Sequence, residues 1–151
     1  MRDLVELLVG VAVVVVVTVP VTPANGRELA ARYRVAADLK TYPQGTAKDA
    51  FAAVLKAIEN KRIDYLLAQL ADPDWVDGRV NVYEGGFDEL VKETTAKLDP
   101  PAVKRLGRFL KDGEFETLDS TAVVRLKGVK DRVVRLRRAD GRWYLQSFNK
   151  P

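Results

Sequence analysis

Apolar residues between Thr46 and Leu70 recur with a helical rhythm. Phe51, Val54, Leu55 and Ile58 fall at i, i+3, i+4 and i+7, and Ile63, Leu66, Leu67 and Leu70 repeat that spacing. Each set puts one apolar stripe on a helix. Thr46, with Asp49 three residues on, approximates a capping box and marks the first helix start. Glu59-Asn60-Lys61 separates the two helices, and Asp72-Pro73 ends the second, because a residue before proline is pushed out of the helical region. The stretch DPDWVDGRVNVYEGG is expected to be irregular, with a short strand at Arg79–Tyr83. Phe87, Leu90, Val91, Thr94 and Leu98 predict a third helix. Asp99 is a good N-cap and Pro100 suits a first helical position, so a fourth helix begins there. Val103, Leu106 and Leu110 form its stripe, and Gly113 stops it. Upstream, Asn25–Gly45 reads as a connector: Arg27–Leu39 has helical composition but weak periodicity, and Tyr42-Pro43-Gln44-Gly45 is a turn cluster.

From Glu114 the period changes to two. EFETL, TAVVRLKG, DRVVRLRR and RWYLQSF predict consecutive antiparallel strands. Asp140-Gly141 is a type I′ hairpin signal. It places Arg138 opposite Trp143, Leu136 opposite Leu145 and Val134 opposite Ser147. A three-residue loop at Val129–Asp131 would set Val124 opposite Leu136 and Leu126 opposite Val134. A two-residue loop at Asp119-Ser120 would set Phe115 opposite Val124. All three hairpins then put Phe115, Val124, Leu126, Val134, Leu136 and Leu145 on one face, and that agreement supports the meander. The fold class is α+β, with N-terminal helices packed on a C-terminal curved antiparallel β-meander.

The order TAKDAFAAVLKAIENKRIDYLLAQLADP, a further helix, then strands ending in ADGRWYLQSF, resembles the nuclear transport factor 2-like (SnoaL-like) cone-shaped superfamily. The likeness covers about residues 46–148 and rests on element order plus Gly141-Arg142-Trp143. It implies a bent sheet wrapped into a cone, with a small-molecule pocket between helices and sheet. Tyr65, Trp75, Phe87 and Trp143 are the aromatic candidates to line it. Some enzymes of this kind work with a tyrosine and carboxylates, and Asp64-Tyr65 and Asp88-Glu89 are the nearest equivalents here. Helical phase sets Asp64 beside its apolar stripe, where it would be solvated rather than raised in pKa by burial.

The N-terminus departs from all this. Leu7–Val19 reads LLVGVAVVVVVTV, thirteen residues without a charge. It has the length of a signal-peptide h-region, with Thr22 and Ala24 suitable before a cut after Ala24. An uncleaved membrane anchor and a buried valine-rich strand are the other two readings. The expected division is therefore a signal peptide or anchor over 1–24, a connector over 25–45 and a single α+β domain over 46–151, exported or tethered.

The chain of 151 residues carries a formal charge of +4 and has neither His nor Cys. Most nucleophile, general-base and transition-metal chemistry needs those side chains. Asp72, Asp74 and Asp77-Gly78 do not match the spacing of a hand-type calcium loop. No cofactor, metal or catalytic residue is assigned. The second face of the sheet gathers Arg125, Lys127, Arg135, Arg137 and Tyr144, with Arg125 opposite Arg135 and near Glu114. A like-charge pair there costs stability unless a ligand anion, an acidic partner surface or Glu114 itself neutralises it. Candidates are an anionic cell-envelope polymer, lipid headgroups, an acidic protein surface or a homodimer through the sheet; outside the cytoplasm nucleic acid is disfavoured. The expected function is a non-enzymatic binding or scaffolding module, the alternative a small-molecule enzyme using Asp, Glu and Tyr.

Overall fold

A computed structural model describes residues 30–149. Helices precede the sheet, as the change of period requires: α1 (Ala47–Glu59), α2 (Ile63–Tyr65), a π-helical turn (Leu66–Leu70), α3 (Pro73–Val80), α4 (Gly86–Lys97), α5 (Pro100–Asp112), then β1 (Glu114–Leu118), β2 (Thr121–Arg125), β3 (Val133–Ala139) and β4 (Arg142–Asn149). The sheet is an antiparallel meander in sequence order. The class is α+β. The apolar N-terminal block Leu7–Val19 lies outside the described residues. Among those described, no helix is long and apolar enough to cross a membrane.

The caps follow the sequence. Thr46 Oγ1 accepts from the Asp49 amide at 3.0 Å, and Asp99 Oδ1 accepts from the Ala102 amide at 2.9 Å. The irregular reading of residues 72–86 fails over Pro73–Val80 and holds between Asn81 and Gly85. Asp72-Pro73 not only ends one helix but starts another, since Asp72 Oδ1 accepts from the Asp74 amide at 3.1 Å and proline occupies the first turn of α3. Arg79 and Val80 are thus helical, and no strand forms at Arg79–Tyr83.

In the sheet, Phe115 pairs with Val124, Arg138 with Trp143 and Leu136 with Leu145, as the turns demand. Two registers differ. The β2–β3 loop is longer than three residues, so Val124 pairs with Val134 and Ala122 with Leu136. The slip is two positions. It preserves side-chain parity, so Val124, Val134 and Leu136 still face the helices, fully buried. It also removes the expected like-charge pair: Arg135 lies opposite Val123, and Arg125 opposite Glu114. In β4 the register shifts after Leu145, so Arg135 faces Ser147 and Val134 faces Phe148 rather than Ser147. Gln146 is the extra residue of this bulge. The shift returns Phe148 to the core side, where its ring meets Phe109 edge-on at 5.4 Å.

Helix α1 divides the interior. Ala53, Val54 and Ala57 join α2, the π-turn, Val76 and Leu90 in one apolar cluster. Ala47, Ala50, Phe51 and Leu55 join Leu106, Phe109 and the sheet in another. Its alanines let neighbours approach on several sides, so this helix is buried well beyond the stripe that periodicity identified.

The segment expected to be a connector shows no helix over residues 30–46, yet it is packed down as a strap. Tyr33 stacks on Phe87 and Tyr42 on Tyr65, each at 4.3 Å between ring centroids. Gln44 is buried, donates to the carbonyls of Trp143 and Gln69, and accepts from Arg142. The Trp143 amide donates to the Gln44 carbonyl, and the Asp72 amide to that of Leu145. These bonds close the β4 edge. The β1 edge carries Glu114 and Glu116, charges that discourage strand addition.

Candidate functional site

Two interruptions of regular backbone meet on one side of the molecule. In the π-turn the Ala71 amide donates to the Leu66 carbonyl, five residues back, at 2.7 Å. Ala71 forms an isolated bridge with Leu145, immediately before the β4 bulge at Gln146. Between them lies a cleft of about 240 Å³. Val54 and Ile58 form its α1 wall, Leu66 and Leu67 its π-turn wall, and Leu98 and Leu106 its far side; Leu145 through Phe148 complete it from β4. Ile58, Leu98 and Leu145 border both apolar clusters, so the cleft is the seam where those clusters do not fill the space between them. No charged side chain lines it. The polar groups are those of Thr94, Gln146 and Ser147, with Trp75 at the lip. Trp75 is 47% exposed, unusual for so large an apolar side chain.

Of the four aromatic pocket candidates, Trp75 alone lines this cleft. Tyr65 is buried beneath Tyr42, and its hydroxyl accepts from the Asp38 amide at 2.8 Å. Phe87 lies under Tyr33. Trp143 is buried in the sheet-side cluster. The strap tyrosines thus cover Tyr65 and Phe87, and the four aromatics do not share a pocket. Sequence reasoning missed the aliphatic walls, because a π-turn and a bulge leave no signature in hydrophobic periodicity.

The carboxylate candidates also lie apart from the cleft wall. Asp64 accepts from the Arg62 Nε and Nη2 atoms at 2.9 and 3.1 Å, which holds its carboxyl below the usual range. It is therefore an ionised partner of arginine and is not poised as a general acid. Asp88 is exposed on the first turn of α4, and Glu89 Oε2 accepts from the Gly85 amide at 2.9 Å, so these acids serve a helix start. Burial, more than any other influence, pushes the Tyr65 hydroxyl above its ordinary value.

The three aspartates of the α3 region are taken up by cations. Asp72 and Asp74 both accept from Arg137 Nη2, at 2.7 and 3.0 Å. Asp77 accepts from Arg32 at 2.5 Å and from the Tyr33 hydroxyl at 2.6 Å. The basic sheet face is correspondingly broken up. Arg137 is neutralised internally. Tyr144, expected to project outward, is buried at 7% exposure with the Arg142 guanidinium 5.3 Å from its ring centroid. Arg135 is half-buried, and of these five residues only Arg125 and Lys127 are exposed.

Comparison with protein-family models, curated proteins and solved structures returned no match.

Proposed function

We propose that this domain is a non-catalytic binding module that takes a small apolar molecule, or the end of an acyl chain, into the seam cleft, and that it works as an exported or membrane-tethered protein. One observation carries the reading: the π-turn and the β-bulge, irregular places in the helices and the sheet of the described residues, are bridged to each other and both line the same apolar cleft. Such irregularities cost local hydrogen bonding and cluster beside functional sites. Trp75 at the lip is a large apolar surface left in water, which a ligand would cover. The expectation of a pocket between helices and sheet, implied by the resemblance to the cone-shaped superfamily, agrees with this position. A wall of aliphatic side chains with no titratable group favours binding over acid-base chemistry. Export rests on the length and composition of Leu7–Val19; an N-terminus at Asn25 in protein recovered from the cell envelope would support cleavage.

The test uses Trp75 as reporter. Burying about six carbons of an eight-carbon chain at about 0.8 kcal/mol per methylene gives roughly 5 kcal/mol, a dissociation constant below a millimolar. Octanoate or octanol should therefore shift Trp75 emission saturably. Leu98→Trp, which fills the cleft from the C-cap of α4, should weaken binding of a radiolabelled ligand at least about ten-fold while leaving thermal unfolding unchanged. No saturable binding by the parent protein, or equal binding by the filled variant, would defeat the proposal.

A further inference from the structure

Arg125 and Lys127, the exposed cations of the sheet face, continue into a larger cationic surface. Helix α5 is amphipathic: Leu106 and Phe109 are buried, while Lys104, Arg105, Arg108 and Lys111 are exposed. Beside it runs the loop between β2 and β3. Arg105 and Arg108 share a shallow cleft with Leu126, Val129 and Arg132. A second cleft shares Leu126 and Val129 and adds Arg125, Lys127 and Lys130. Six cations from three parts of the chain thus form one continuous patch. Two acids, Glu114 and Asp131, lie at its clefts. Among the described residues none of these six cations lies in a salt bridge with a carboxylate. This contrasts with Arg32, Arg62 and Arg137, each of which is satisfied by an aspartate.

We infer that this α5 and β2–β3 loop surface docks on acidic phospholipid headgroups. Six cations gathered with only two acids beside them cost stability, and a sheet of phosphates would remove that cost. Two features favour a lipid surface over nucleic acid. The aromatic side chain lining these clefts, Phe109, is buried, and the half-buried Phe148 ring is covered by the Arg132 guanidinium 5.5 Å from its centroid, so neither offers a base a free stacking platform. Between Lys127 and Lys130 the loop places Gly128, at φ +84°, and Val129, which packs on one side against the sheet-side core and leaves a small apolar surface between lysines that meet phosphate. The apolar stripe of α5 is occupied by the core, so docking is electrostatic and superficial.

The experiment compares partitioning of the full chain onto vesicles of phosphatidylcholine alone and of the same lipid mixed with phosphatidylglycerol. Reading the difference between the two removes any contribution from apolar segments. Partitioning should be stronger on the acidic vesicles, and this gain should disappear at raised salt, because exposed charges are screened over about 8–10 Å at physiological ionic strength. K127E/K130E should reduce the gain by about twenty-fold or more, at roughly five-fold per cation. R105E/R108E should act similarly from the other element. K48E/K92E changes net charge equally on other exposed helical positions and should leave most of the gain. Equal partitioning on both vesicle types would overturn the inference. So would an equal loss in the K48E/K92E control, or binding to an RNA oligonucleotide that outcompetes the acidic vesicles.

Discussion

Gly113 invites the substitution that most sharply tests how α5 is docked. The sequence suggests a C-terminal glycine chosen for left-handed backbone, but Gly113 has φ −73°, which any residue adopts. It is glycine because α5 and β2 approach too closely for a side chain. A Cβ there would lie 2.6 Å from Val124 Cγ1 and would collide with the Phe109 carbonyl oxygen. Val124 is fully buried and β-branched, so its χ1 freedom to move aside is restricted. Relief requires β2 to move by about an ångström or the last turn of α5 to open its 3.0 Å bond from the Gly113 amide to Phe109. Overpacking of this kind costs roughly 1–3 kcal/mol, and a strained hydrogen bond about 1 more. Gly113→Ala should therefore lose about 2–4 kcal/mol, a large part of a typical domain's stability. Gly107, six residues earlier on the same helix, has nothing within 4 Å of its would-be Cβ. There alanine should add about 0.5–1 kcal/mol by helix propensity. Urea unfolding followed by circular dichroism, with the slope unchanged, measures both. A loss below about 0.5 kcal/mol for Gly113→Ala, or losses of the same size at the two sites, would refute this packing of α5 on the sheet.

Two further outcomes follow from the ion pairs. Arg137→Ala leaves Asp72, 8% exposed at its side chain, with only its capping bond, and should cost about 1–3 kcal/mol by thermal unfolding; Asp74→Ala, on an 81% exposed partner, should cost under about 1. Adding Asp72→Asn to Arg137→Ala should recover part of the loss, since asparagine keeps the cap without the charge; no recovery would mean that Arg137 acts through packing. Tyr33 and Asp77 predict stability at the two ends of the pH scale. Burial and then the Asp77 carboxylate push the Tyr33 hydroxyl up to about 12, so its contribution is complete below its ordinary 10.0 and is lost as pH rises between the two values. Burial would raise Asp77, but hydrogen bonds from Tyr33 and Arg32 outweigh it and hold the carboxyl below 3.8; its contribution is present above that value and lost as pH falls through the lowered one. Tyr33→Phe should flatten the alkaline limb of the stability profile and Asp77→Asn the acid limb, and an unchanged profile in either variant would show that this contact does not form.

Local chemistry made much of the fold legible. The caps at Thr46 and Asp99, the Asp140-Gly141 turn and the parity of the strands act over a few residues, so the helices that they start, the hairpin and the buried face of the sheet could be read directly. Parity even survived a two-residue error in the β2–β3 loop, because an even slip returns every side chain to the same face. The same local rule was available at Asp72-Pro73 and pointed both ways, as a stop and as a start; only the packing of Val76 beneath the π-turn decided that α3 forms. What the sequence could not supply was set by contacts between distant residues. The bulge at Gln146 turns Phe148 inward to Phe109, and the strap at residues 30–46 places Tyr33 and Tyr42 over Phe87 and Tyr65. Charge behaved in the same way. The sequence counts cations, but tertiary structure decides that Arg137 is cancelled by Asp72, a residue 65 positions away, while Arg105 and Lys130 are left to face solvent together. Local propensity operates through neighbours along the chain; site formation operates through distances that only the folded chain creates.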